Sequence, residues 1–232
     1  MKNILTLTEV DKLIQDSIRN TISKTPVVEE SYVAEEKPFK QVSELVSQKT
    51  KDAHQTLYKS YVEKLNRTSA ELDGADKKGS NAVHSEFRSL KKDEQALQNN
   101  VWLHELYFTN CFDPHSEITM DSLAYMKLQQ AFGTFDDYQR DFVACAEAVT
   151  NGWVVTGYHL WLRKYINIVI EGHDGNIPVG FYPVIVLDMF EHASRDYAND
   201  KRSYIVAMMR EFNWEVINQR FEKSEGLAQV VK

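Results

Sequence analysis

The chain is short of cysteine, with two in 232 residues. Cys111 and Cys145 have no CxxC partner and lie among apolar and aromatic neighbours, which excludes a disulfide framework and predicts reduced thiols. Long apolar runs are missing too: none approaches the roughly 20 residues needed to span a bilayer. Met1-Lys2-Asn3-Ile4-Leu5 lacks a signal-peptide core and a small-residue cleavage site, and Glu9, Asp11 and Asp16 make a poor mitochondrial presequence. These features predict a cytoplasmic, intracellular protein with no membrane partner. Basic charge is also scarce. With 27 Lys and Arg against 34 Asp and Glu, the net charge of −7 argues against a broad nucleic-acid surface, which needs clustered cations. There is no internal repeat.

What remains is an ordinary globular composition, 43% hydrophobic and 26% charged, enough for one large domain or two small ones. Residues 8–22 read as an amphipathic helix, with Val10, Leu13, Ile14, Ile18 and Ile22 on one face. Pro26 breaks it, and an acidic linker runs to residue 37. This 1–37 extension either packs back on its own chain, or docks on a protein partner or oligomerises. A helical segment over 38–66, a polar loop over 67–82 and a second helix over about 84–110 predict an antiparallel hairpin. Cys111 to Ser116 reads as a boundary between this 38–112 hairpin domain and a 113–232 domain. In the latter, residues 118–150 are helical around a Phe132-Gly133-Thr134-Phe135 turn-and-cap. Three strands joined by short meander connections follow, then helices over 189–223. The fold class predicted is α+β: a helical hairpin, then a small three-stranded antiparallel sheet flanked by helices.

Val184-Ile185-Val186-Leu187 reads as a buried strand, with Pro183 at its first position, ending at Asp188. His192 follows four residues later, where the pattern turns helical. His54 and His104 lie on the two hairpin helices and can face each other across it. Three imidazoles and one carboxylate suit iron, manganese or zinc rather than calcium or magnesium. A purely structural reading stands beside each residue: Asp188 as a helix cap, His54 as a surface histidine, His173 as part of the Gly172-His173-Asp174-Gly175 turn.

At these residues the chain resembles the iron/manganese superoxide dismutases. LDMFEHA is similar to that family's Asp-x-Trp-Glu-His-Ala signature, and NNVWLHELYFTNCFDP to the segment around its second histidine ligand. FGTFDDYQRDF, NGWVV, FNWEVINQRF and the KPFKQVSELVSQKTKDAHQ opening resemble further landmarks in the same order, over residues 38–223. The resemblance implies one iron or manganese ion per chain, held by His54, His104, Asp188 and His192. It implies that Tyr61 gates proton and substrate entry, and that His173 or Asn100 orients a water beside the metal. It also implies that Glu191 reaches across a homodimer interface. Tyr61 stands seven residues after His54 where the family has eight. Phe108 and Phe190 replace two tryptophans, Ser194 and Arg195 replace an aromatic pair, and one residue is missing before Asp196.

The implied activity is dismutation of superoxide to dioxygen and hydrogen peroxide, with Lys201 or Arg202 attracting the anion. The alternative is a non-catalytic structural or assembly protein on the same fold, joined to a larger particle through residues 1–37. A third reading is another mononuclear non-haem iron enzyme with a wider pocket.

Overall fold

Ser47 opens the first helix by accepting a hydrogen bond from Thr50 N, which satisfies a backbone donor that the helix itself leaves free. This helix, α1 (Gln48–Gly74), runs beyond the predicted end, because Thr68, Ser69 and Leu72 still face the interior. The polar loop is therefore shorter than expected. α2 (Glu86–Cys111) returns alongside it and completes the helical hairpin. The computed structural model describes residues 34–39, 42–111, 115–198 and 200–230. The amphipathic helix expected over 8–22 lies outside these residues, as do most of the acidic linker and part of the Cys111–Ser116 boundary. Among the described residues no helix is long and apolar enough to cross a membrane.

α3 (Leu123–Phe132) and α4 (Phe135–Ala148) meet at the expected turn. Gly133 has φ +96° there, a left-handed value that disfavours a side chain, and Thr134 caps α4 through Asp137 N. The sheet follows as β1 (Gly152–His159), β2 (Lys164–Glu171) and β3 (Phe181–Asp188). All pairings are antiparallel, as predicted, but the order is β2-β1-β3, not a simple meander. Glu171 pairs beside Gly152 and Phe181 pairs beside His159, so the β2–β3 connection must travel the full length of β1. β1 takes the centre because its first seven residues are buried, which suits a strand covered on both faces.

Pro183 occupies the third position of β3, not the first. It is tolerated there because β3 is an edge strand and the register shifts beside it, between Thr156 and Gly157. Gly157 is obligatory at this bulge: a Cβ would lie 2.4 Å from Phe181 Cζ and 2.5 Å from the Tyr182 carbonyl oxygen. After β3 come α5 (Glu191–Ser194), a 3-10 turn (Arg195–Tyr197), α6 (Lys201–Arg210) and α7 (Trp214–Val230). Hairpin and sheet share one hydrophobic core, to which Leu65, Phe108, Trp153, Val186 and Phe221 all contribute. Asn110 ties α2 to β3 by donating to Val186 O at 3.3 Å.

Candidate metal centre

Four elements deliver one donor each to a common point. α1 carries His54, α2 carries His104, the last residue of β3 is Asp188, and α5 carries His192. Their ligand-type atoms all lie within 4.8 Å of one another. Asp188 Oδ2 is 3.2 Å from His54 Nε2, 3.1 Å from His192 Nε2 and 3.9 Å from His104 Nε2. Donors bonded to one ion at about 2.1 Å stand roughly 3–4.2 Å apart, so these separations fit a single metal. His54, His104 and Asp188 are buried, and His192 is partly exposed.

The chemistry of the donor set fits as well. His104 Nδ1 lies 2.6 Å from the Asn100 carbonyl oxygen, one helical turn back. A carbonyl only accepts, so Nδ1 carries the proton and Nε2 presents its lone pair to the cluster. That Nε2 is buried with no hydrogen-bond partner among the described residues, as expected of an atom reserved for a metal. Burial, reinforced by His54, lowers the His104 pKa to about 3, so the imidazole is neutral. Burial also lowers that of His54, more than Asp188 raises it. For Asp188 burial pulls the other way, but hydrogen bonds and charge from His192 and His54 hold the carboxyl below the usual carboxylate range. His54 and His104 are thus neutral imidazoles beside an ionised carboxylate, the protonation states that ligands of a divalent or trivalent ion need.

The surrounding shell is aromatic. Phe108 stands 4.8 Å from the His54 ring, and Phe190 stacks between His192 at 5.2 Å and His173 at 4.6 Å. Phe39 lies 5.1 Å from Phe108, a neighbour the sequence did not suggest, so the space beside this phenylalanine is filled. His173 belongs to the expected turn, yet its ring reaches the site: Nδ1 accepts a hydrogen bond from Trp153 Nε1 at 3.2 Å. Burial lowers its pKa to about 4. Tyr61 is half-buried, with its ring 5.3 Å from that of His104 and 5.6 Å from that of His173. Burial, with Asp188 adding, raises its pKa above the ordinary phenol value.

Asn100 reaches the site through its backbone. Its carbonyl meets His104, while its amide donates to Ala96 O at 3.0 Å and leaves a buried Oδ1 without a hydrogen bond. Glu191 is exposed. Lys201 and Arg202 are engaged elsewhere: Lys201 Nζ donates to Glu147 O at 3.1 Å and to Val149 O, and Arg202 pairs with Glu147 at 2.7 Å. Both brace the end of α4, where free carbonyls attract cations.

Three supporting residues escaped the sequence reading. Trp153 packs its ring 4.9 Å from His104 as well as donating to His173. Tyr204 donates to the Asp188 carbonyl at 2.7 Å and lies 3.1 Å from the Tyr107 hydroxyl. Asp196 accepts from Ser47 N at 2.6 Å, Ser47 Oγ at 2.9 Å and Thr50 Oγ1 at 3.0 Å. Trp153 had a signal, since it stands in the apolar NGWVV strand run. Asp196 had none, because its partners are 146 to 149 residues away.

The sequence is similar to those of known proteins. A family model described as iron/manganese superoxide dismutases, C-terminal domain, matches residues 121–220. The protein is 32% identical over 179 residues to "Superoxide dismutase [Fe]" of Aquifex pyrophilus, covering 75% of this chain and 83% of that relative. It is 29% identical over 180 residues to "Superoxide dismutase [Mn]" of Mycolicibacterium fortuitum, covering 75% and 85% respectively. Sequence similarity over most of both chains, joined to the α+β fold and the His/Asp cluster, makes this chain a member of the iron/manganese superoxide dismutase family.

Proposed function

We propose that the protein dismutes superoxide, using one iron or manganese ion per chain held by His54, His104, Asp188 and His192. The observation that carries this reading is the cluster of three imidazole nitrogens and one carboxylate within 4.8 Å, buried except at His192. Iron or manganese, when bound, supplies the one-electron couple by which one superoxide is oxidised to dioxygen and another is reduced. The second superoxide also needs two protons to leave as hydrogen peroxide. Tyr61 and His173, side by side at the edge of His104, are the groups we assign to this proton supply and to the entrance. With its pKa raised, the Tyr61 phenol keeps its proton at neutral pH and can donate a hydrogen bond. His173, with its Nδ1 engaged by Trp153, is held with Nε2 as its remaining polar atom. Asn100 acts by fixing the His104 tautomer through its carbonyl.

Asp188 brings the negative charge that offsets the metal's. Glu191, exposed beside His192, is assigned to a homo-oligomer contact. An intracellular setting fits the two unpaired thiols of Cys111 and Cys145.

Metal analysis of purified full-length protein, paired with a superoxide-scavenging assay, tests the reading. Near one metal per chain, with metal and activity both lost in His104→Ala and Asp188→Ala, is the expected result. Protein that binds neither iron nor manganese, or binds it without turnover, would sink the enzyme reading and favour the non-catalytic assembly role.

A further inference from the structure

A cavity lies on the opposite flank of α2 from the candidate metal ligands, with a volume of about 590 Å³. That lies within the about 300–1,000 Å³ typical of small-molecule pockets. Helical spacing separates the two sites: Asn100, His104 and Phe108 face the metal cluster, whereas Trp102, Leu103 and Leu106 line the cavity. Val155 and Ile170 of the sheet form another wall, and Ile177 of the β2–β3 crossover closes over it.

Arg220 of α7 is also in the wall and is only 8% exposed. Its Nη1 donates to Asn110 Oδ1 and to Val184 O, and its Nη2 to Leu106 O and Thr109 Oγ1. All four acceptors are neutral. Among the described residues no carboxylate pairs with this guanidinium, although a buried arginine ordinarily has one. The other cation at the cavity, Lys37, is already matched by Glu105. The cavity therefore combines mostly apolar walls with one uncompensated positive charge.

We propose that this cavity binds a single-chain fatty-acid carboxylate, its hydrocarbon along Leu103, Leu106 and Ile177 and its head toward Arg220. A carboxylate oxygen in place of a neutral acceptor makes a charge-assisted bond to the guanidinium, and the alkyl chain covers apolar surface. The volume suits one chain rather than a two-chain lipid.

Calorimetric titration of the full-length protein with decanoate, decanol and decyltrimethylammonium, all below micelle formation, separates the contributions. The expected result is one saturable decanoate site per chain, with the alcohol and the cation at least about tenfold weaker. Ile177→Trp, on the crossover, fills the cavity and should abolish binding without changing the circular dichroism or metal content. Arg220→Gln should erase the preference for carboxylate over alcohol; if that variant does not fold, the head-group series and Ile177→Trp decide alone. No saturable binding, equal affinity for decanol, or undiminished binding by Ile177→Trp would overturn the proposal.

Discussion

Asp188 divides its two oxygens between two tasks. Oδ1 accepts from Phe190 N at 2.8 Å and so forms the turn into α5, while Oδ2 faces the three histidines. The helix cap itself falls at Phe190, which has no side-chain cap bond, so Asp188 shapes the preceding turn and is not the cap, and its second oxygen stays free to face the cluster. Asp188→Asn keeps an oxygen for the turn but removes the charge from the cluster. Metal content should fall at least about tenfold, with the helical circular dichroism retained. His104 gives a pH prediction for metal-free protein. Unfolded, it titrates near 6.5; folded, it accepts a proton only near 3. Between those values the unfolded chain binds more protons, so stability is greatest above 6.5 and is lost as pH falls toward 3. Unfolding free energies from urea titrations should hold between pH 7.5 and 6.5 and then decline toward pH 5 by up to about 1.4 kcal/mol per pH unit for this residue, and His104→Gln should flatten the slope.

At the scale of elements, the segment after His192 acts as a latch on α1. Asp196 receives three hydrogen bonds from Ser47 and Thr50, and the Tyr197 hydroxyl donates to Leu45 O at 2.9 Å. This clasp joins the start of the helix bearing His54 to the turn that follows His192. Asp196→Ala should destabilise the fold by about 1–3 kcal/mol and lower metal occupancy together. Ser47→Ala added to it should cost less than it does alone, a non-additivity of at least about 0.5 kcal/mol in a double-mutant cycle. Ser194 and Arg195 replace the family's aromatic pair just before this latch, so attachment here rests on polar bonds. In the sheet, Gly157→Ala would drive a methyl into Phe181 and the Tyr182 carbonyl, and thermal unfolding should report a loss of about 1–3 kcal/mol.

For the molecule as a whole, charge is the simplest lever. A net −7 repels an anionic substrate, and Lys201 and Arg202 are spent on the end of α4. The second-order rate constant for superoxide should rise as ionic strength increases from about 10 to 150 mM, because salt screens the repulsion. A falling rate would show a local basic funnel that outweighs the net charge. Glu191→Ala should shift sedimentation toward the monomer if the oligomer contact runs through this residue.

The four candidate ligands could be read from local patterns: an apolar run ending in Asp188, a histidine one helical turn later, and two histidines on paired amphipathic helices. The α+β class was legible for the same reason, since periodicity and caps such as Ser47 and Thr134 act within a few residues. Strand order was not, because which neighbour β3 chooses depends on burying β1 from both sides. Tertiary structure alone seated Asp196 on Ser47, Phe39 on Phe108 and Trp153 on His173, contacts 20 to 149 residues apart in the chain. Within α2 itself, the Asn100 amide turns back to Ala96 O and its carbonyl orients His104, both contacts one helical turn away. The candidate ligand set is written in residue type and local spacing, whereas proton placement and support follow from burial and from neighbours that only folding brings together.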